Sequence, residues 1–219
     1  MRDTARATPA ALHTQTKYIL GTSTFSVAWI ASIACGFAVF AHYDNKPGLA
    51  GAVPASWPDL HLERSHDRPT LIMVAHPRCP CTRASIGELA QVMARVQGKL
   101  IAYVLFVKPS HSDVDWNETD LWRSAGKIPG VTVLADVDGG AASRLGAETS
   151  GHTFLFAPDG RLLFSGGITG SRGHAGDNVG KSAIVSLLNV NRAQRNQTFV
   201  FGCALTARHT PKQPPNCLQ

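Results

Sequence analysis

Leu71-Ile72-Met73-Val74-Ala75-His76-Pro77-Arg78-Cys79-Pro80-Cys81-Thr82-Arg83 is the stretch on which the fold of this chain turns. Its first part is a short continuous apolar run, the pattern of a strand buried on both faces, and it ends at His76-Pro77. After Cys81, the residues Ile86, Leu89, Ala90, Met93 and Val96 recur at helical spacing, Ser85 and Glu88 have capping-box spacing, and Gly98 closes the segment. The two cysteines therefore fall where a strand gives way to a helix. Unpaired backbone N–H groups and the positive end of the helix dipole favour thiolate over thiol at such a place. Arg78 and Arg83 bracket the pair and add positive potential.

Downstream, residues 100–107 form a second buried run, so the unit reads strand-helix-strand with parallel strands and a right-handed crossover. Residues 120–125 suggest a short helix, 131–134 a short strand and 141–145 a helical turn. His152-Thr153-Phe154-Leu155-Phe156, the turn Ala157-Pro158-Asp159-Gly160 and Arg161-Leu162-Leu163-Phe164-Ser165 predict a hairpin. A loop with six glycines comes next over residues 166–180, then a last helix over about residues 181–189 and a tail that holds Cys203 and Cys217.

Upstream, residues 18–43 contain no Asp, Glu, Lys or Arg, and a helix of ~23 residues at ~1.5 Å each crosses the ~30 Å hydrocarbon layer of a bilayer. Arg2, Arg6 and Lys17 precede this stretch, whereas Lys46 alone stands closely after it, which places the N-terminus in the cytoplasm and the remainder outside it. Val39-Phe40-Ala41 also has the spacing of a signal-peptide cleavage site, and either route exports the residues beyond it. The organisation expected is a cytoplasmic N-terminus (1–17), a transmembrane anchor (18–43), a linker rich in Pro and Gly (44–68), one α/β domain (69–190) and a tail (191–219). With 219 residues, 44% apolar and 16% charged, the chain has room for one anchor and one folded domain. Its net charge of +6 is not arranged as a track of basic and aromatic residues, so no nucleic-acid partner is expected.

The order strand, cysteine motif, helix, strand, hairpin, helix is similar to the thioredoxin-like superfamily. Ala75-His76-Pro77-Arg78-Cys79-Pro80-Cys81-Thr82-Arg83, with Gly166-Gly167-Ile168-Thr169-Gly170-Ser171-Arg172-Gly173-His174 further on, resembles its membrane-anchored RedB-type branch. The resemblance implies a thioredoxin-like fold, a central mixed sheet with helices on both faces, here preceded by one transmembrane helix. It implies a periplasmic thiol–disulfide oxidoreductase on a single-pass tether, working on a thiol or disulfide protein partner without a cofactor. The chain departs from the thioredoxin pattern twice. Pro80 is the sole residue between the cysteines, where two are usual, and His152 stands at the position of the cis-proline, which implies that His152 lies close to the pair. By the same analogy Cys79, Cys81, His152 and Cys203 form the catalytic set, and His76, Arg172, His174 and Asp177 contact substrate.

Other readings stand beside this one. Two thiolates one residue apart suit Cu(I), so Cys79 and Cys81 with a histidine from His76, His152 or, in particular, His174 could make a copper site. A non-catalytic interaction domain would leave both thiols ordinary. Cys203 and Cys217 could bridge within the tail, and Arg172 with Asp177 could brace the loop. Residues 175–182 fit a loose phosphate-loop pattern, but no later strand ends in the Asp that would help hold magnesium, so no nucleotide is expected.

Overall fold

The structure is a computed structural model that describes residues 9–113 and 115–205, with the side chains of residues 9–21 left aside. The chain divides into two units, Met1–Tyr43 and Asp44–Gln219. In the first, helix α1 (Pro9–Asp44) contains the apolar stretch. Its part Thr22–Asp44, 23 residues, is long and apolar enough to cross a membrane, and large side chains such as Phe25, Trp29, Ile33 and Phe40 are exposed along it.

The second unit is built on β1 (Thr70–Ala75), every residue of which is buried. It pairs in parallel with β2 (Ile101–Lys108), which pairs in parallel with β3 (Val131–Val137). On its other side β1 pairs antiparallel with β4 (His152–Phe156), which forms a hairpin with β5 (Leu162–Gly166). The sheet order is β3-β2-β1-β4-β5.

Side-chain alternation along β1 feeds two cores. Leu71, Met73 and Ala75 pack with Ile86 and Leu89 of α2 (Pro80–Val96), Leu121 of α3 (Asp120–Gly126) and Ile184 of α5 (Val179–Val190). Ile72 and Val74 face the other way, toward Ala142 and Leu145 of α4 (Gly140–Leu145), Phe154, Phe156 and Leu60. Helices thus cover both faces, as a mixed sheet with a buried central strand requires. The segment before β1 runs along the domain: Trp57 packs edge-on against Phe156, and backbone bonds join Trp57 to Gly160 and Leu162 to Ala55.

One local expectation is overturned. Ser85 and Glu88 do not begin a helix, because α2 starts at Pro80 with Cys79 as its N-cap and both residues are buried inside it. The Glu88 carboxylate lies 2.6 Å from the Lys181 ammonium, and both side chains are closed to solvent. Lys181 also donates to Gln91 and to the Gly176 carbonyl, while the Gly176 N–H donates to Glu88. The lysine of the phosphate-loop pattern is therefore committed to pinning the glycine loop onto α2. Breaking one half of such a pair strands a buried charge. Lys181→Met is expected to destabilise the domain by roughly 3–5 kcal/mol in chemical denaturation, with much of the loss recovered in Lys181→Met/Glu88→Leu; an unaffected single variant would show the pair to be dispensable.

Candidate functional site

Leaving the buried end of β1, the chain turns through His76-Pro77-Arg78 and enters α2 with Cys79 at the N-cap and Pro80 in the first turn. Proline suits that place because its missing N–H is one the helix start cannot pair. The Cys79 N–H donates to the His76 carbonyl and the Thr82 N–H to the Cys79 carbonyl, which makes the turn tight.

The second thiol-bearing segment is the strap at residues 196–205. It runs along the hairpin, where the Ser165 N–H donates to Asn196 and the Thr198 and Gly167 N–H groups tie Thr198 to Ser165 and Gly167 to Phe199. Further on, the Gly48 N–H donates to Val200, that of Ser150 to Cys203, and that of Leu205 to Glu148. A Cβ on Gly202 would collide with the Ser150 carbonyl oxygen, so only glycine lets the strap come this close.

Ser150 joins the two segments. Its N–H holds the Cys203 carbonyl at 2.8 Å, its hydroxyl accepts from the His76 N–H at 2.8 Å, and the same hydroxyl lies 2.7 Å from that of Thr82. The outcome is a cluster in which the sulfurs of Cys79, Cys81 and Cys203 lie within 4.8 Å of one another, with Cys79 Sγ 2.8 Å from Cys203 Sγ. No disulfide joins the three, and Cys217 lies outside the described residues.

Exposure differs sharply among the three. Cys79 is 0% exposed, whereas Cys81 and Cys203 are half-buried. The Cys79 thiol is held far below its ordinary value, first by the hydrogen bond with Cys203 and then by Cys81. The Cys79 side chain accepts no capping N–H from the helix, so the leading hydrogen bonds to its thiolate come from these neighbours. For Cys81 the hydrogen bond with Cys203 pulls the thiol down, yet its interactions with Cys79 and burial outweigh it and raise it. Arg78 and Arg83 are engaged elsewhere: Arg78 stacks 5.1 Å from the centre of the Trp116 ring, and Arg83 pairs with Asp120. The cation that lowers Cys81 is Arg172.

The remaining predicted residues separate. His76 stays beside the pair, its ring edge-on to Trp116 and its imidazole pushed down mainly by burial. Arg172 donates to the Gly202 and Lys46 carbonyls, so it holds the strap. His174 is exposed, with Nδ1 on the Arg172 carbonyl, and is not part of the sulfur cluster. Asp177 is fully exposed and lies 3.8 Å from Lys181, so the pair imagined between Arg172 and Asp177 is replaced by separate contacts. Sequence reasoning missed Ser150, Thr82, Glu88 and Lys181. Ser150 carried the one available signal, because it stands two residues before the proline-equivalent position.

His152 opens β4 opposite Val74, with Nε2 2.8 Å from the Ser165 hydroxyl and its ring stacked on Phe154. Its hydrogen bond is thus to Ser165, not to a thiol, and among the described residues its buried Nδ1 has no partner. Burial pushes the imidazole down from 6.5 to about 4. A base weakened in this way favours folding only while neutral, so its contribution is complete above about pH 6.5 and is lost as pH falls toward 4, up to ~3 kcal/mol in all. His152→Gln should flatten that part of a stability–pH curve, and an unchanged slope would remove the assignment.

No protein-family model and no curated protein matches the sequence. Solved structures do resemble it. A hypothetical protein from Sinorhizobium meliloti overlaps with a TM-score of 0.56 at 18% identity, covering 74% of this chain and 100% of that one. An uncharacterised protein from Geobacillus kaustophilus overlaps with a TM-score of 0.54 at 17% identity, covering 75% and 94%. A thioredoxin-like protein in its oxidised form overlaps more loosely, with a TM-score of 0.39 at 17% identity over 62% and 86%. Likenesses at these identities concern the fold. With a central β1 between a parallel and an antiparallel neighbour, cysteines where β1 passes into α2, and a closing hairpin and helix, this chain has a thioredoxin-like fold.

Proposed function

We propose that this chain is a membrane-tethered, extracytoplasmic thiol–disulfide oxidoreductase whose working pair is Cys79 with Cys203. The observation that carries it is the 2.8 Å separation of those two sulfurs at the junction of β1 and α2. Of the two partners that the sequence left open for Cys79, Cys81 and Cys203, the short contact favours Cys203.

Burial supports a division of roles. No outside disulfide reaches a sulfur that is 0% exposed, so Cys79 is the internal thiol and Cys203 the one that meets a partner. Cys203 passes its proton to the Cys79 thiolate 2.8 Å away and attacks one sulfur of the partner disulfide; a mixed disulfide forms, and the other partner sulfur leaves, taking that proton from Cys79. Cys79, already in place, then attacks Cys203 Sγ. The intramolecular disulfide forms and the second partner sulfur departs, so the partner gains the electron pair that the two protein cysteines lose. Run backward, the same two steps oxidise a dithiol.

In full-length protein in detergent, Cys79→Ser should accumulate the mixed disulfide at Cys203 with a model disulfide. Cys203→Ser should slow turnover by roughly 100-fold or more, and Cys81→Ser should keep it within a few-fold. Peptide mapping under acid quench reads these outcomes. Wild-type turnover in Cys203→Ser would remove the pair.

The tether is supported by Thr22–Asp44 and by the basic residues ahead of it, Arg2, Arg6 and Lys17, which favour the cytoplasmic side. The full-length chain should stay with membranes through alkaline extraction. Release of a product that begins after Ala41 would convert the tether into a cleaved signal.

A further inference from the structure

The three sulfurs form a donor set with no nitrogen or oxygen ligand in it: among the described residues no His, Asp or Glu joins Cys79, Cys81 and Cys203 within 4.8 Å. Two of the donors are built into one rigid helix start, at the N-cap and one residue past Pro80. The third is held over them by the bond from the Ser150 N–H to Cys203 and by Arg172 on the Gly202 carbonyl.

A cation bonded to three sulfurs at roughly 2.3 Å in a plane holds them roughly 4 Å apart. The three sulfurs lie within 4.8 Å of one another, and Cys79 and Cys203 would part by about 1 Å from their 2.8 Å contact to reach that spacing. Soft thiolates select soft cations, and a set of three without a fourth ligand is poor for Zn(II), which is held by four in structural sites. Three thiolates around a monovalent cation leave two negative charges, which the nearby Arg172 guanidinium and the N-terminal end of α2 offset.

We propose that the reduced chain binds one soft monovalent cation, represented by Cu(I), in an all-thiolate site made of Cys79, Cys81 and Cys203. Cys203 takes the place that sequence reasoning gave to His174. The site stands on geometry alone, whether or not the thiols exchange disulfides. One consequence rests on the redox proposal: a Cys79–Cys203 disulfide removes two of the three ligands, so metal and disulfide exclude each other. A partner disulfide would then receive the electron pair from the two thiolates and the cation would leave with its charge unchanged.

The test is a titration of the full-length chain in detergent, anaerobic and reduced, with Cu(I) alone as ligand against a chromophoric Cu(I) chelator. A Cys35→Ser/Cys217→Ser background keeps the other thiols out of the count. One Cu(I) per chain is expected, with all three remaining thiols protected from alkylation. Cys81→Ser and Cys203→Ser should each weaken binding by more than roughly tenfold, and His174→Ala by less than that. A smaller effect of either cysteine change, or alkylation of Cys203 in the loaded protein, overturns the site. Cys81→Ser separates the two proposals because it retains the Cys79–Cys203 pair. If it exchanges disulfides but binds Cu(I) like its parent, the metal site alone falls. If the parent binds Cu(I) through the three thiols but never forms the Cys79–Cys203 disulfide, the redox proposal alone falls.

Discussion

Burial of β1 on both faces is the constraint on which the rest of the domain depends. Each of Leu71, Ile72, Met73 and Val74 is removed from solvent, worth about 1.5–3 kcal/mol per side chain. That gain requires the strand's backbone groups to be paired on both edges, so β1 must be central, between β2 and β4. A central strand can be left only at its end. The chain therefore turns at His76-Pro77 and starts α2 there, and whatever residues occupy that turn are delivered to one end of the central strands.

The cysteines use this delivery point, but the site is completed from elsewhere. The neighbouring strand β4 begins beside the end of β1, with the Gly151 N–H bonded to the Val74 carbonyl. Ser150, just before it, is therefore set between the turn and the strap, where one small side chain and one N–H satisfy groups from both. Burying those polar groups is tolerable because each has a partner. The same economy governs the glycine loop. Buried Lys181 of α5 and Glu88 of α2 are matched by each other, by Gln91 and by loop backbone, so the loop is held against α2 rather than left to solvent.

Enclosure changes the chemistry available to Cys79. In a turn open to water, the helix start alone would tune the thiol. Here two other sulfurs crowd it, and they supply the hydrogen bonds that favour its thiolate. The thiol held lowest is therefore also the one closed to solvent, while Cys81 and Cys203 remain half-buried.

The amino-acid order alone was enough for the fold and for the first two thiols. Continuous apolarity at residues 71–74, helical spacing from Ile86 to Val96, and two strands around Pro158-Asp159-Gly160 are local patterns whose periods come from backbone geometry, and the strands and helices lie where those patterns put them. The apolar span near the N-terminus is legible for the same reason. Tertiary structure decided what depends on segments far apart in the chain. Cys203 is 124 residues from Cys79, and no periodicity links them; their contact exists because Ser150 and Gly202 let the strap close over the helix start. The local capping signal at Glu88 was misleading because its carboxylate is used by Lys181, distant in sequence and adjacent in space, and His152 found Ser165 across the hairpin instead of a thiol. Short-range pattern reports the elements, whereas which sulfurs meet is a property of how those elements pack.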